Sequence, residues 1–217
     1  QFHAVIPIQV DEAKPESLRH RIQLVPGVQR EILLVEPQDK PVVGAEVAGR
    51  EPVRESERFR PPKGAKAMLY GLDSKKPRNI VIYHKERKLG AVVPVRGDKK
   101  TPLRISLQPL SSIRGVALDQ KGRPLGNMKV TVGLTRLIVA YRDLPWSMLR
   151  QMAGTMKRVT KTDSKGRFHV DGLLPGIHYT LSISEGNPTR ANLRAVKDKV
   201  IAEQGRVVDL GIVRPLK

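Results

Sequence analysis

Residues 20–47 of this chain recur without a gap at residues 103–130. The two stretches read RIQLVPGVQREILLVEPQDKPVVGAEV and RISLQPLSSIRGVALDQKGRPLGNMKV. Ile22 and Leu24 fall on Ile105 and Leu107, Pro26 on Pro109, Pro41 on Pro124 and Val47 on Val130. Each copy reads as a strand ending in Pro, a second strand, a charged turn before Pro, and a third strand. The ending returns near the C-terminus, where Leu210, Ile212, Pro215 and Leu216 repeat the pattern of Leu107 and Pro109-Leu110. Later in each copy Tyr70-Gly71-Leu72 corresponds to Asp171-Gly172-Leu173. A fixed repeat restricts the chain to tandem units, each a supersecondary block repeated along the polypeptide. The spacing predicts modules of about 85–105 residues, one over 27–110 and one over 111–217. Residues 1–26 read as the tail strands of a preceding module or as an N-terminal extension. With Gln1 rather than Met at its start, the chain reads as a segment cut from a longer repeat protein.

The clearest local signal is Thr160–Ser184, TKTDSKGRFHVDGLLPGIHYTLSIS. Val159, Phe168 and Val170 alternate with Arg158, Arg167 and Asp171, the period of a half-buried strand. Asp163 and Ser164 bond readily to their own backbone, and Gly166 supplies the positive φ that a hairpin loop needs. Pro175 lacks an N–H for a central ladder, and Gly176 frees the chain to turn. Beyond it Tyr179, Leu181 and Ile183 alternate with Thr180, Ser182 and Ser184. Short alternating runs, 17 Pro and 18 Gly, and little helical periodicity predict an all-β chain of tandem antiparallel Greek-key β-sandwiches. One helix interrupts them, at about 143–153. Asp143 suits its N-cap, Pro145 its first turn and Gly154 its end. Leu144, Met148, Leu149 and Met152 make its apolar face, and Trp146 is the only tryptophan. Residues 50–67, REPVRESERFRPPKGAKA, predict a long charged loop in the first module.

The second module reads G-V-x-x-D-x-x-G-x-P-L-x-N-x-x-V, then T-D-x-x-G-x-F, then G-L-x-P-G-x-x-Y. This resembles the carboxypeptidase regulatory-like domain, related to transthyretin-like and collagen-adhesin B-type repeats, here in tandem. Its structural motif residues are Pro124, Asp163, Gly166, Phe168, Gly172, Pro175, Gly176 and Tyr179. Residues 112–216 follow the pattern well. Residues 28–110 follow it less closely: Asp39 stands where Gly122 stands, Pro77 replaces the Pro-Gly corner, and no hairpin motif is visible near Arg58–Met68. The resemblance implies a seven-stranded Greek-key sandwich, non-catalytic, in exported or surface-bound bacterial proteins, hence an extracytoplasmic location. One related branch forms intramolecular isopeptide bonds. Lys129 and Lys161 lie on strands, but no matching set in apolar surroundings accompanies them.

The residues themselves carry little chemistry. There is no Cys, so disulfides, thiolate metal sites and cysteine nucleophiles are excluded. The five histidines, His3, His20, His84, His169 and His178, are scattered. His169 and Asp171 share a strand face near His178, yet no tight metal-ligating motif accompanies them. Asp163-Ser164 and Asp119-Gln120 lack the alternating oxygen ligands of a calcium loop. No nucleophile elbow or phosphate-cradling glycine loop is present. The expectation is no enzyme, no cofactor and no metal.

Forty Lys plus Arg against 21 Asp plus Glu give a formal charge of +19. Such a balance attracts anionic polymers and surfaces. The basic clusters fall at 63–66, 75–78, 85–88, 99–100 and 157–158. No apolar run approaches the ~20 residues of a membrane span, and no signal peptide is visible. The first expectation is therefore an interaction or spacer segment whose partners are neighbouring modules of the same polypeptide. The alternative is a module binding carbohydrate, an anionic polymer or a protein partner through Trp146, Tyr141, Met148 and Tyr83. A second alternative is nucleic acid, which 4% aromatics and the lack of a recognition helix disfavour.

Overall fold

The computed structural model describes residues 27–51, 62–99, 101–134, 157–186 and 194–215. The described chain is all-β, with tandem, mostly antiparallel sandwiches. The helix expected at 143–153, the strands expected before residue 27 and most of the 50–67 loop lie outside the described residues.

Residues 28–109 form β1 (Val28–Val35), β2 (Glu46–Ala48), β3 (Lys66–Leu72), β4 (Arg78–His84), β5 (Leu89–Val95), β6 (Leu103–Ser106) and β7 (Gln108–Pro109). They pair as β3-β1-β6 and β2-β4-β5-β7. Residues 111–213 form β8 (Ser111–Ala117), β9 (Lys129–Leu134), β10 (Arg158–Lys161), β11 (Arg167–Leu173), β12 (His178–Ser184), β13 (Arg194–Ile201) and β14 (Val207–Val213). These pair as β11-β8-β14 and β10-β9-β12-β13. In each set the first strand lies antiparallel to the strand after the hairpin and parallel to the last long strand: β1 to β6, β8 to β14.

The sequence repeat is a repeat of hydrogen bonds. In the first turn Glu36 N–H donates to Lys40 C=O (2.8 Å) and Asp39 N–H to Glu36 C=O (2.9 Å). In the second, Asp119 N–H donates to Arg123 C=O (2.8 Å) and Gly122 N–H to Asp119 C=O (3.1 Å). Pro41 bridges to Val35 as Pro124 bridges to Leu118. Asp39 takes φ 64° where Gly122 takes φ 80°. Asp tolerates the left-handed region better than most residues do, so the turn survives without glycine.

The hairpin that is not visible near Arg58–Met68 has a structural counterpart. Leu34 N–H donates to Ala65 C=O (2.8 Å) as Ala117 N–H donates to Gly166 C=O (2.8 Å). Strand β3 begins at Lys66, inside the stretch expected to be loop. Its sequence lacks the Asp and Phe of the motif, and pairing with β1 defines it instead. Gly71 and Gly172, at φ 59° and 78°, mark the same irregularity in β3 and β11.

Two apolar cores result. The first holds Ile32, Leu34, Val42, Val47, Leu69, Ile80, Ile82 and Leu107, all aliphatic. The second is built on Phe168, Tyr179, Val130, Val132, Leu181 and Ile183. Two expectations about faces fail. Val159 is 49% exposed, whereas Phe168 and Val170 are buried. Arg158 pairs with Val132, an inward position of β9, so β10 turns its arginine in and its valine out. Ser182 and Ser184 are also buried rather than solvent-facing.

Candidate functional site

The Thr160–Ser184 stretch builds the frame of the second sandwich. Asp163 Oδ1 accepts from the N–H groups of Lys165 (2.9 Å) and Arg167 (2.8 Å), closing the hairpin turn. Gly166 has φ 76°, and a Cβ there would lie 2.4 Å from Ala117 O. Phe168 lies against Gly115, where a Cβ would meet its ring at 2.9 Å. At the corner, Pro175-Gly176 form a turn with Gly176 at φ 75°. Leu174 N–H donates to Tyr179 Oη (2.8 Å), which donates back to Leu174 C=O (3.4 Å). Tyr179 is 1% exposed, so its hydroxyl ties down a buried corner whose backbone would otherwise lack a partner.

The junction between the sandwiches is a second focus. The outer face of β2-β4-β5 carries Ala48, Val81, Tyr83 and Val92. These join the core of the second sandwich rather than that of the first. Tyr83 is 8% exposed. Arg158 Nη2 donates to Tyr83 Oη (2.7 Å), and its guanidinium carbon lies 5.3 Å from the ring centroid. Such a contact adds a cation–π attraction to a charge-assisted hydrogen bond. Gly90 permits the close approach: a Cβ there would be 2.2 Å from Leu174 Cδ2 and 2.9 Å from Ile82 O. On the neighbouring side Gly205 N–H donates to Pro109 C=O (3.2 Å), and Gln204 bonds the side chain of Gln108.

Of the residues expected to contact a partner, Tyr83 is thus enclosed between the two sandwiches. Trp146, Tyr141 and Met148 lie outside the described residues. Nothing local in the sequence marks Arg158, Gly90 or Leu174 as junction contacts. A signal for the junction does exist in Ile80-Val81-Ile82-Tyr83. An unbroken apolar run marks a strand buried on both faces.

The aligned positions on the second sandwich differ. Val47 pairs with Ile82 as Val130 pairs with Ile183, so Ala48, Val81 and Tyr83 correspond to Thr131, Ser182 and Ser184. All three are buried, and Thr131 Oγ1 and Ser184 Oγ have no hydrogen-bond partner among the described residues.

The titratable groups are dispersed. His169 Nε2 and Asp171 Oδ1 are 2.8 Å apart on an exposed face, and His84 Nε2 bonds Val43 C=O (3.0 Å). No group of three His, Asp or Glu side chains suited to a metal occurs among the described residues. Asp119 Oδ1 accepts from the N–H groups of Lys121 and Arg123 (2.8 Å each), and Oδ2 accepts from Arg123 Nε (2.7 Å). The backbone bond from Arg123 is the largest cause holding its carboxyl below the ordinary value. Asp73 and Asp209 are lowered likewise, first by the backbone N–H groups of Lys75 and Gly211. A carboxylate that faces its own turn's donors in this way serves the turn. No helix among the described residues is long and apolar enough to cross a membrane.

No protein-family model matches the chain, and no curated protein matches it. Among solved structures it is similar to a streptococcal ancillary pilin, at 12% identity and TM-score 0.33 over 87% of this chain and 62% of that one. The minor pilin GBS52 of Streptococcus agalactiae aligns at 12% identity and TM-score 0.36, over 88% of this chain and 97% of that one. The shaft pilin spaA of Lactobacillus rhamnosus GG aligns at 10% identity and TM-score 0.30, over 88% and 99%.

Proposed function

We propose that the chain is a non-catalytic tandem β-sandwich segment that spaces and connects parts of a larger exported or cell-surface bacterial protein. Its modules run over 27–110 and 111–217. In this reading both modules are of the carboxypeptidase regulatory-like, transthyretin-like kind, and the location is extracytoplasmic. The observation that carries it is the junction: Ala48, Val81 and Tyr83 of the first sandwich are buried in the core of the second. A spacer needs its units held at a fixed angle, and a shared apolar core with a Tyr83–Arg158 clamp supplies that. Linkers between independent domains behave otherwise, with few contacts crossing the boundary.

Pulling the 217-residue chain from both ends tests the reading. Wild type is expected to unfold both sandwiches in one coupled event. The Tyr83→Ala/Arg158→Ala variant is expected to give two separate events at lower force. Two independent events already in wild type would overturn a mechanical role for the junction.

A further inference from the structure

One end of the second sandwich is assembled from two turns with the same residues. Asp119-Gln120-Lys121-Gly122-Arg123 and Asp163-Ser164-Lys165-Gly166-Arg167 both read D-x-K-G-R. In each, the aspartate accepts from the backbone N–H groups two and four residues on. Each carboxylate is therefore turned inward onto its own loop, while the cationic side chains are exposed. The turns are fastened together. Ala117 N–H donates to Gly166 C=O, and a Cβ on Gly126 would lie 3.3 Å from Ser164 Cα. Buried Thr162 binds the loop between them, its Oγ1 donating to Leu125 C=O (2.6 Å) and accepting from Met128 N–H (2.9 Å).

Beside the turns lies a cleft of about 400 Å3 between loop 126–129, Lys161 and Glu185. Lys129 and Lys161 are directly opposite across β9 and β10. Lys129 is engaged by a partner, and the Glu185 carboxylate lines the same cleft. Lys121, Lys161, Lys165 and Arg167 are exposed and have no acidic partner among the described residues.

The fold does not require this charge. The first turn of the other sandwich makes the same backbone bonds with Glu36-Pro37-Gln38-Asp39-Lys40. There the residue at positive φ is acidic and pairs with Arg104 (2.8 Å). Arg123 and Arg167 have cationic counterparts in Lys40 and Lys66, whereas Lys121 and Lys165 stand where the first sandwich has Gln38 and Gly64 and are specific to one end of one sandwich.

We propose that this end binds a flexible phosphate-bearing polyanion, with Lys121 and Lys165 of the twin turns and Lys161 beside them contacting its anionic groups. Guanidinium and ammonium groups on rigid loops suit oxyanions of that kind. Single strands and other flexible chains follow counterion release, in which each neutralised phosphate adds to the salt dependence. The proposal is independent of the mechanical reading, since none of these residues lies in the junction.

The test uses the 217-residue chain and inorganic polyphosphate, with polyglutamate and duplex DNA as parallel probes, titrated over a range of salt. Lys121→Gln/Lys165→Gln and Lys161→Gln are expected to weaken polyphosphate binding about tenfold or more. The double variant should also reduce the log–log salt slope by about 1.4, at roughly 0.7 per lost contact. The control Lys75→Gln/Lys76→Gln removes the same charge from an exposed turn of the first sandwich and should change affinity less than threefold. Equal losses in site and control variants would reduce the effect to net charge and overturn the site. Absence of polyphosphate binding at low salt would overturn it as well. Duplex DNA held more tightly than polyphosphate through the same lysines would replace it with a nucleic-acid site, and polyglutamate held more tightly would exclude phosphate as the recognised group.

Discussion

At the scale of single residues, the two D-x-K-G-R turns differ in what their glycines do. Gly122 and Gly166 both have positive φ, at 80° and 76°. A Cβ added at Gly122 would meet nothing within 4 Å among the described residues, whereas at Gly166 that atom would sit 2.4 Å from Ala117 O. Gly122→Ala therefore meets backbone strain alone, about 1–2 kcal/mol. Gly166→Ala must also push apart the backbone that joins the hairpin to β8. Urea unfolding should show the second variant losing at least twice the stability of the first. Equal losses would mean that the hairpin yields without cost. The aspartates set an acid limit. Asp73, Asp119 and Asp209 are held below the ordinary value of 3.8 by backbone N–H donors. Their folded pKa is lowered, so their contribution is complete above 3.8 and fades as pH falls through the lower folded values. Stability should decline on acidification below that point. Asp119→Asn keeps an acceptor for the two N–H groups but cannot titrate, so its unfolding curve should depend less on pH there. An unchanged pH profile would remove Asp119 from the acid response.

At the scale of elements, alternation made most strands legible. Phe168 and Val170 in β11 and Tyr179, Leu181 and Ile183 in β12 are buried as their period demands. Strand β10 breaks the rule because Arg158 is drawn inward to Tyr83, a partner 75 residues away. No local pattern contains that partner. The junction can be tested through β5. Gly90→Ala places a methyl group against Leu174 and the Ile82 carbonyl, and should lower stability by about 1–3 kcal/mol, the usual cost of overpacking. Adding Leu174→Ala should recover part of the loss, giving a favourable coupling in a double-mutant cycle. Strict additivity would show that the two side chains do not compete for one space. Tyr83→Phe keeps the ring and removes the hydroxyl, so its expected cost is about 1 kcal/mol, smaller than for a fully buried charged bond because Arg158 is half-exposed.

At the scale of the whole molecule, the charge of +19 opposes compaction. The Debye length falls from about 30 Å at 0.01 M salt to about 8 Å at 0.15 M. The melting temperature should therefore rise with sodium chloride over that range, and a fall would mean that the surface ion pairs outweigh the repulsion. The all-β class, the repeat and the turns of the second sandwich are legible in the residues alone. They are so because alternation, Asx turns and positive-φ glycines act over a few residues. The first sandwich's hairpin was hidden for the same reason: its strand β3 is defined by pairing with β1, and its own residues lack the motif. Folding in three dimensions sets the rest: Tyr83 faces the second sandwich, Arg158 turns inward, and the two D-x-K-G-R turns share one end. Those outcomes depend on contacts between residues far apart in the chain, whose energies are settled only when the sheets close on one another.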